Sequence, residues 1–486
     1  MAPLLIPDPL DAPLCCGGWS SVDGPAAEVV EPATGQVLAR VAPAGAQDVR
    51  RAAARAGQAQ PAWEATGHRE RIAVLRRAAA LLLEHREEFT RWLVRESGSV
   101  RPKAEHEIES VYDELLAAAA LPGQPPGLLM PPVPGRTSAA HRVPVGVVGV
   151  ISPWNVPLVL SLRAVAPALA LGNAVVLKPD VRTAVCGGVL VARLFEEAGL
   201  PQGVLQVLPG GPDAGEALVD APEVAMVAFT GSTAVGRVIG ERAGRALKRT
   251  SLELGGKNPL IVLEDADLDA AARIGAFSSF FHQGQVCMSA GRHVVVESVA
   301  DAYAERLCAA AKELTVGDPW TEDVHLGPLI DTGQADRVDR IVAESVTAGA
   351  RLLAGGRDRG PFYLPTVLDE VPRDSRAYRE EIFGPVAAVV RVRDETEAVE
   401  VANDTEYGLS AAVLSADPRR GADVAGRVRA GMVHVNEPTV EDDAYVPFGG
   451  LGASGNGSRH GAPTHWEEFT EWRWVTVRDI AVAPPF

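Results

Sequence analysis

Between residues 145 and 263, short apolar runs rich in β-branched residues alternate with helix-length segments. The runs are VGVVGVI (145–151), AVVLK (174–178), VLQVL (204–208) and VAMVAFT (224–230). Helical segments lie at 156–171 and at 183–198, the latter closed by Gly199 and Pro201, with others running from Asp213 and from Ser232. A strand with one wet face alternates apolar and polar residues, whereas a strand covered by helices on both faces reads as a continuous apolar run. The pattern therefore predicts a parallel, doubly wound α/β sheet, an architecture that commonly holds a nucleotide at the carboxyl ends of its strands.

The same alternation returns after Lys257. Strands are expected at 259–263, 293–297, 364–368, 386–393, 410–415 and 431–435, and helices at 267–280, 299–313, 334–347, 395–403 and 418–427, which make a second α/β domain. Residues 46–120 carry apolar side chains at helical spacing (Ile72, Leu75, Ala79, Leu82, Leu83) and predict surface helices. The Pro- and Gly-rich stretch 122–144 ends helix and predicts an arm or edge ribbon. The tail WRWVTVRD (472–479) alternates like an exposed strand able to pair with a partner chain, so a homo-oligomer is expected.

Charge and cysteine usage narrow the function classes. A net charge of −17, spread along the chain, makes nucleic acid and anionic membranes poor partners. No basic segment precedes the first apolar residues, so no secretory signal is expected. The longest apolar stretch, Val156 to Leu171, is broken by Arg163 and Pro167, so no membrane span is expected either. Five cysteines (Cys15, Cys16, Cys186, Cys287, Cys308) are too few and too irregular for a disulfide framework. They suit a reducing cytoplasm, and no Cys/His spacing suggests a metal site.

Four short motifs carry chemistry-bearing residue types. FTGST with Gly236 places small residues between a strand and a helix start, where free N–H groups suit a phosphate or Ser232 acts as a cap. In PWN, Asn155 is either a helix cap or a neutral amide donor for a developing oxyanion. In ELGGKNP, Glu253 ends a strand before two glycines and is either a solvated acid or a general base for water. Cys287, in HQGQVCMSAGR, lies between Gly284 and Gly291 just after a helix. A thiolate near a helix end and a positive cofactor ring would be activated below the free thiol's pKa of roughly 8.5, although a lone cysteine is more often a small buried hydrophobe. His282, beside Phe280 and Phe281, reads as a packed core residue rather than a thiol base.

Taken together and in order, PWN, KP (Lys178, Pro179), FTGST, ELGGK, GQVC, EIFGP (Glu381 to Pro385) and PFGG (Pro447 to Gly450) resemble the aldehyde dehydrogenase superfamily, from about Gly18 to Arg478. The resemblance implies a Rossmann-like cofactor domain (1–121 and 144–255), a second α/β catalytic domain (256–461) and a small β oligomerisation arm (122–143 and 462–486). It implies that Cys287 attacks the aldehyde carbon, that Asn155 and the Cys287 N–H hold the oxyanion, and that Glu253 activates water to hydrolyse a thioester. Cofactor contacts fall to Ser152, Trp154, Lys178, Gly231, Ser232, Gly236, Leu254, Glu381 and Phe383. NAD is the expected cofactor, with NADP the alternative because Val181 replaces an acid and Arg182 follows it.

KPDVRTAVCGG, FFHQGQVCMSAGR and PFGGLGASGNGSRHG are most similar to aromatic members of the benzaldehyde and vanillin type. The expected slot is lined by Val156, Leu160, Arg163, Met288, Tyr445 and Phe448, with Arg163 either reading a ring substituent or held in a buried ion pair. Glu471 aligns with a carboxylate that some members use for proton relay. The competing readings are a coenzyme A-acylating dehydrogenase and a non-redox cysteine esterase or binding protein on the same fold.

Overall fold

The computed structural model describes Leu4 and residues 14–15, 19–20, 26–462 and 464–481; Cys16 and most of the N-terminal segment lie outside them. It contains two seven-stranded sheets. In the first, the order is Arg249–Glu253, Val224–Thr230, Val147–Ile151, Ala174–Lys178, Leu205–Val207, then the short strands Leu14–Cys15 and Trp19–Ser20. The five long-range strands run parallel, as the unbroken apolar runs require. The chain starts at Val147–Ile151, moves outward to Leu205–Val207, and returns to lay Val224–Thr230 on the other side of the starting strand. This reversal opens a crevice where Ile151 lies opposite Phe229, so PWN and FTGST emerge side by side.

Pro157–Ala170 covers one face of this sheet, and all of its residues are buried, Ser161 and Arg163 included. Proline at its first position removes an N–H that would lack a helical partner. The expected helix 183–198 opens instead with a π turn, Val185–Val189, where the buried Glu96 carboxylate accepts from the N–H groups of Val185 and Cys186 at 2.8 and 2.7 Å.

The second sheet follows the order Arg351–Arg357, Tyr363–Asp369, Val386–Val392, Ala290–Val296, Asn258–Val262, Ser410–Leu414, Met432–Val435. Only its first strand is antiparallel to its neighbour. That strand is absent from the sequence reading; Gly355 and Gly356, just before its last residue, weaken the strand pattern. The chain passes from one sheet to the other through Leu254–Lys257. A Cβ on Gly255 would lie 2.4 Å from the Glu381 carboxylate, and one on Gly256 would lie 2.8 Å from the Cys287 carbonyl oxygen, so this crossing needs residues without side chains.

Thr470–Arg478 pairs antiparallel with Arg136–Pro144 along its whole length, and Arg136–Pro144 pairs with Gly127–Leu129. Arg101–Ala120 departs from the expectation of a surface helix: Lys103, Glu107 and Glu114 on one of its faces are buried. Charges at helical spacing read as a wet face until the helix that neutralises them is placed against it. Among the described residues no helix is long and apolar enough to cross a membrane.

Candidate active site

Cys287 follows Leu268–Phe280 and a turn in which His282, Gln283 and Gly284 take positive φ angles of 49°, 54° and 66°. Two left-handed non-glycine residues in succession are costly and persist only where surrounding bonds hold them. Here Gln283 Nε2 donates to the Gly98 and Pro328 carbonyls, both at 2.8 Å, and Gln285 Oε1 accepts from the Ile330 N–H at 3.0 Å. Asn258 Nδ2 then donates to the Cys287 and Ser289 carbonyls at 2.8 Å each, fixing the backbone on both sides of the thiol.

Cys287 and Asn155 line one cavity enclosing about 620 Å³ of atom-free space, open solvent included. Asn155 is not the helix cap. Its Nδ2 donates to the Gln285 carbonyl at 2.8 Å, and the free N–H groups of Leu158 and Val159 go to Glu107 Oε1 at 2.9 and 3.4 Å. Glu107 is paired with Lys103 at 2.5 Å, and Lys103 Nζ also donates to the Asn155 carbonyl at 3.2 Å. A buried ion pair from Arg101–Ala120 thus caps the helix that follows Asn155 and anchors Asn155 itself.

Glu253 ends its strand with the carboxylate buried; Oε1 accepts from Ser458 Oγ at 3.4 Å and Oε2 has no hydrogen-bond partner among the described residues. Burial holds this acid well above the usual carboxylate range, opposed by the positive charges of Arg459 and Arg163. It does not line the Cys287 cavity. The thiol itself is pushed up to about 12, by burial first and then by the negative charges of Glu381, Asp442 and Glu253. Without the positive cofactor ring of the expected activation, the protein's own groups favour the neutral thiol.

The expected cofactor residues fall into three places. Glu381 is half-buried, accepts from the Gly256 N–H at 3.1 Å, and lines a second cavity of about 300 Å³ with Phe383 and Ser289. Val286 lines both this cavity and that of Cys287, so the two are neighbours. Trp154 and Phe383 meet edge to face, with ring centroids 5.4 Å apart. Gly236 and Leu254 share an open groove with Thr233 and Arg237, and a Cβ on Gly236 would lie 2.4 Å from Leu254 Cδ2. Ser232 caps Thr233–Arg245, and the Gly231 N–H donates to the Glu253 carbonyl at 3.0 Å.

Elsewhere in the crevice Lys178 Nζ donates to the Gly210 carbonyl at 2.8 Å, while Ser152 Oγ is turned inward onto Ser161 Oγ at 2.8 Å. Arg182 is held by Asp180 at 3.0 and 3.1 Å and by Asp331 at 3.0 Å, and stacks 5.0 Å over Trp154. A helix N-terminus, a glycine cradle and a half-buried acid along one crevice fit a dinucleotide.

Of the expected slot residues, Val156, Leu160, Arg163, Met288 and Phe448 line the Cys287 cavity. Tyr445 does not; it is 51% exposed, because the chain turns outward between Asp442 and Phe448. Arg163 is held in the expected buried ion pair, donating to Glu114 at 2.9 Å and Asp442 at 2.5 Å, and it also lines the cavity. Lys103, His106, Glu107 and Ser110 also line the cavity, and no sequence signal marks them, since a polar helix face looks alike whether it meets water or a pocket. Glu471 lies exposed opposite Val143, and the acid whose charge bears on Glu253 is Glu468.

Comparison with known proteins agrees with this arrangement. The model of the aldehyde dehydrogenase family matches residues 19–475. The chain belongs to the aldehyde dehydrogenase family. Among its relatives are a vanillin dehydrogenase of Amycolatopsis sp., 53% identical over 97% of both chains, and a benzaldehyde dehydrogenase (NAD+) of Pseudomonas putida, 49% identical over 96% of both. A salicylaldehyde dehydrogenase from Pseudomonas putida G7, solved with salicylaldehyde, superposes with a TM-score of 0.94 at 36% identity, covering 98% of this chain and 100% of that one. In this member of the family, the crossing between the sheets sets Gly255 against the Glu381 carboxylate and Gly256 against the Cys287 carbonyl.

Proposed function

We propose that this chain oxidises an aromatic aldehyde to its carboxylic acid with NAD+, Cys287 being the nucleophile. The observation that carries the reading is that Cys287 and the Asn155 amide line one cavity whose other walls, Val156, Val159, Leu160, Phe281, Met288 and Phe448, are largely apolar. Having lost its proton to solvent, Cys287 Sγ adds as thiolate to the aldehyde carbon and the oxygen gains negative charge, which Asn155 Nδ2 and the Cys287 N–H stabilise. When bound, NAD+ accepts the hydride that leaves this carbon. The acyl group stays on sulfur as a thioester until Glu253 takes a proton from water and the acid is released.

Lys178, Ser232, Gly236, Leu254, Glu381 and Phe383, with Trp154, Ser152 and Gly231, form the cofactor crevice in this reading. The charge of Arg182 is offset by Asp180 and Asp331, which supports NAD over a cofactor carrying a 2′-phosphate. The sheet that carries these residues is the cofactor domain, the sheet after Lys257 the catalytic domain, and the three-stranded sheet the oligomerisation arm of a cytoplasmic homo-oligomer.

With benzaldehyde and NAD+, absorbance of reduced nicotinamide is expected to rise, with NAD+ giving the larger kcat/KM of the two cofactors. Cys287→Ala is expected to abolish the signal, and added coenzyme A to leave benzoate as the product. No reduction across a panel of aromatic and aliphatic aldehydes would sink the reading in favour of a non-redox protein.

A further inference from the structure

The segment ASGNGS (453–458) lies along the end of the strand that carries Glu253, and each of its three polar side chains bonds to residues 250–255. Ser454 Oγ donates to the Gly255 carbonyl at 2.7 Å, and the Leu254 N–H donates to the Ser454 carbonyl at 2.9 Å. Asn456 Oδ1 accepts from the Leu252 N–H at 3.1 Å while its Nδ2 donates to the Thr250 carbonyl at 2.7 Å, so this amide has one orientation. The backbone on both sides of Glu253 is thereby fixed, and its side chain is left to Ser458. The buried Ser458 Oγ lies 3.4 Å from Glu253 Oε1 and 2.9 Å from Asn456 Oδ1, and Glu253 Oε2 has no hydrogen-bond partner among the described residues. A hydroxyl carries one hydrogen and two lone pairs, so Ser458 donates to one of these oxygens at a time. With its proton on Oε1, Glu253 donates to Ser458 Oγ, whose own hydrogen goes to Asn456 Oδ1. An ionised Glu253 takes that hydrogen instead, and Asn456 Oδ1 keeps the Leu252 N–H. Neither state leaves Ser458 or Asn456 without a bond.

We propose that Ser458 is the positioning residue of the general base: rotation of its hydroxyl holds Glu253 in place both as acid and as carboxylate while water is activated. The inference rests on the role given to Glu253 above and deepens it. In that step Glu253 takes one proton from water, the oxygen of the water bonds to the thioester carbon, and the carbon–sulfur bond breaks with Cys287 Sγ leaving as thiolate. A hydrogen bond donated to an ionised acceptor is shorter and stronger than one between neutral groups, so the bond from Ser458 favours the carboxylate form. Other charges bear on the same group. Arg459 from the segment itself and Arg163 from Pro157–Ala170 favour ionisation, Glu468 from the short helix His465–Phe469 opposes it, and Glu253 in turn acts against ionisation of the Cys287 thiol. These act on the charge through space, whereas Ser458 supplies the directional bond that orients it.

The test separates the two half-reactions. Formation of reduced nicotinamide in the first turnover needs Cys287 and not Glu253, whereas every later turnover waits for the thioester to be hydrolysed. In rapid mixing with benzaldehyde and NAD+, Ser458→Ala is expected to keep a burst of about one reduced nicotinamide per active site and to lower the steady rate that follows about tenfold at pH 7. The acid limb of that steady rate is expected to move up by about one pH unit, since losing a bond to the charged form raises the pH at which Glu253 ionises. The burst rate, which follows Cys287, keeps its own pH dependence. Ser458→Thr retains the hydroxyl and is expected to restore the limb. Ser458→Cys, similar in size with a weak donor, stands in should Ser458→Ala fail to fold, and is expected to move the limb the same way. Added to Glu253→Gln, Ser458→Ala is expected to lower the steady rate no further. An unmoved acid limb, or equal losses in the burst and steady phases, overturns the assignment. Without any aldehyde, the infrared carboxyl band that Glu253→Gln removes is expected to titrate about one pH unit higher in Ser458→Ala than in the unmodified protein. If no aldehyde is oxidised the functional reading fails, and equal infrared midpoints in the two proteins are then the result that overturns the role of Ser458.

Discussion

At the scale of single residues, the site is built from groups whose surroundings oppose ionisation. Burial pushes the Cys287 thiol up to about 12 and Glu381 up to about 7, and holds Glu253 well above the usual carboxylate range. A raised thiol pKa means that thiolate forms only as pH rises, so the protein by itself should react slowly at neutral pH. Alkylation of Cys287 by iodoacetamide in the absence of cofactor, with Cys287→Ala as the blank, is expected to accelerate about tenfold per pH unit from 7 to 10 without levelling near the free-thiol value of roughly 8.5. A plateau below pH 9 would contradict the burial account. The cysteine's identity as the candidate nucleophile was legible only through the family motifs taken in order; the direction of its pKa shift was not, because its burial and the charges of Glu381, Asp442 and Glu253 come from remote stretches of sequence.

At the scale of elements, two helices meet through charge rather than through apolar contact alone. Lys103 and Glu107 lie one turn apart on Arg101–Ala120, and their pair satisfies the first N–H groups of Pro157–Ala170 and the Asn155 carbonyl. Removing one member of a buried pair leaves the other uncompensated, which costs about 3–5 kcal/mol. Lys103→Met is therefore expected to lower the unfolding free energy by that order, read from a chemical denaturation curve. It should also reduce kcat, because the backbone that presents Asn155 loses its anchor. The double variant Lys103→Met/Glu107→Gln is expected to recover part of the stability, since the amide oxygen still caps Leu158 while no charge is stranded. If the single variant melts with the unmodified protein, the pair is not holding the helix junction. The Pro157 start of this helix was readable from sequence, whereas its cap, Glu107, was not, since the nearest polar side chain in sequence is not the nearest one in space.

At the scale of the whole molecule, Thr470–Arg478 is exposed along nearly its full length and carries Trp472, Trp474, Val475 and Val477, and Leu128 and Leu129 are exposed on the strand beyond its partner. An edge strand with unpaired backbone groups and apolar side chains favours association with another chain. Sedimentation is expected to show a dimer or larger assembly, and Val475→Lys/Val477→Asp to shift it toward monomer; a monomeric unmodified protein would refute the arm's role. Sequence alone determined the parallel sheets, since β-branched runs without polar alternation have no stable wet face, and it determined the candidate nucleophile, amide and acid through local motifs. Only the tertiary structure decided that Asn155 turns away from the helix it precedes, that Tyr445 leaves the cavity, and that Arg163 is shared by Glu114 and Asp442. Local chemistry is written in neighbouring residues, but the partner of a buried charge is chosen by which helices and loops the fold packs against it.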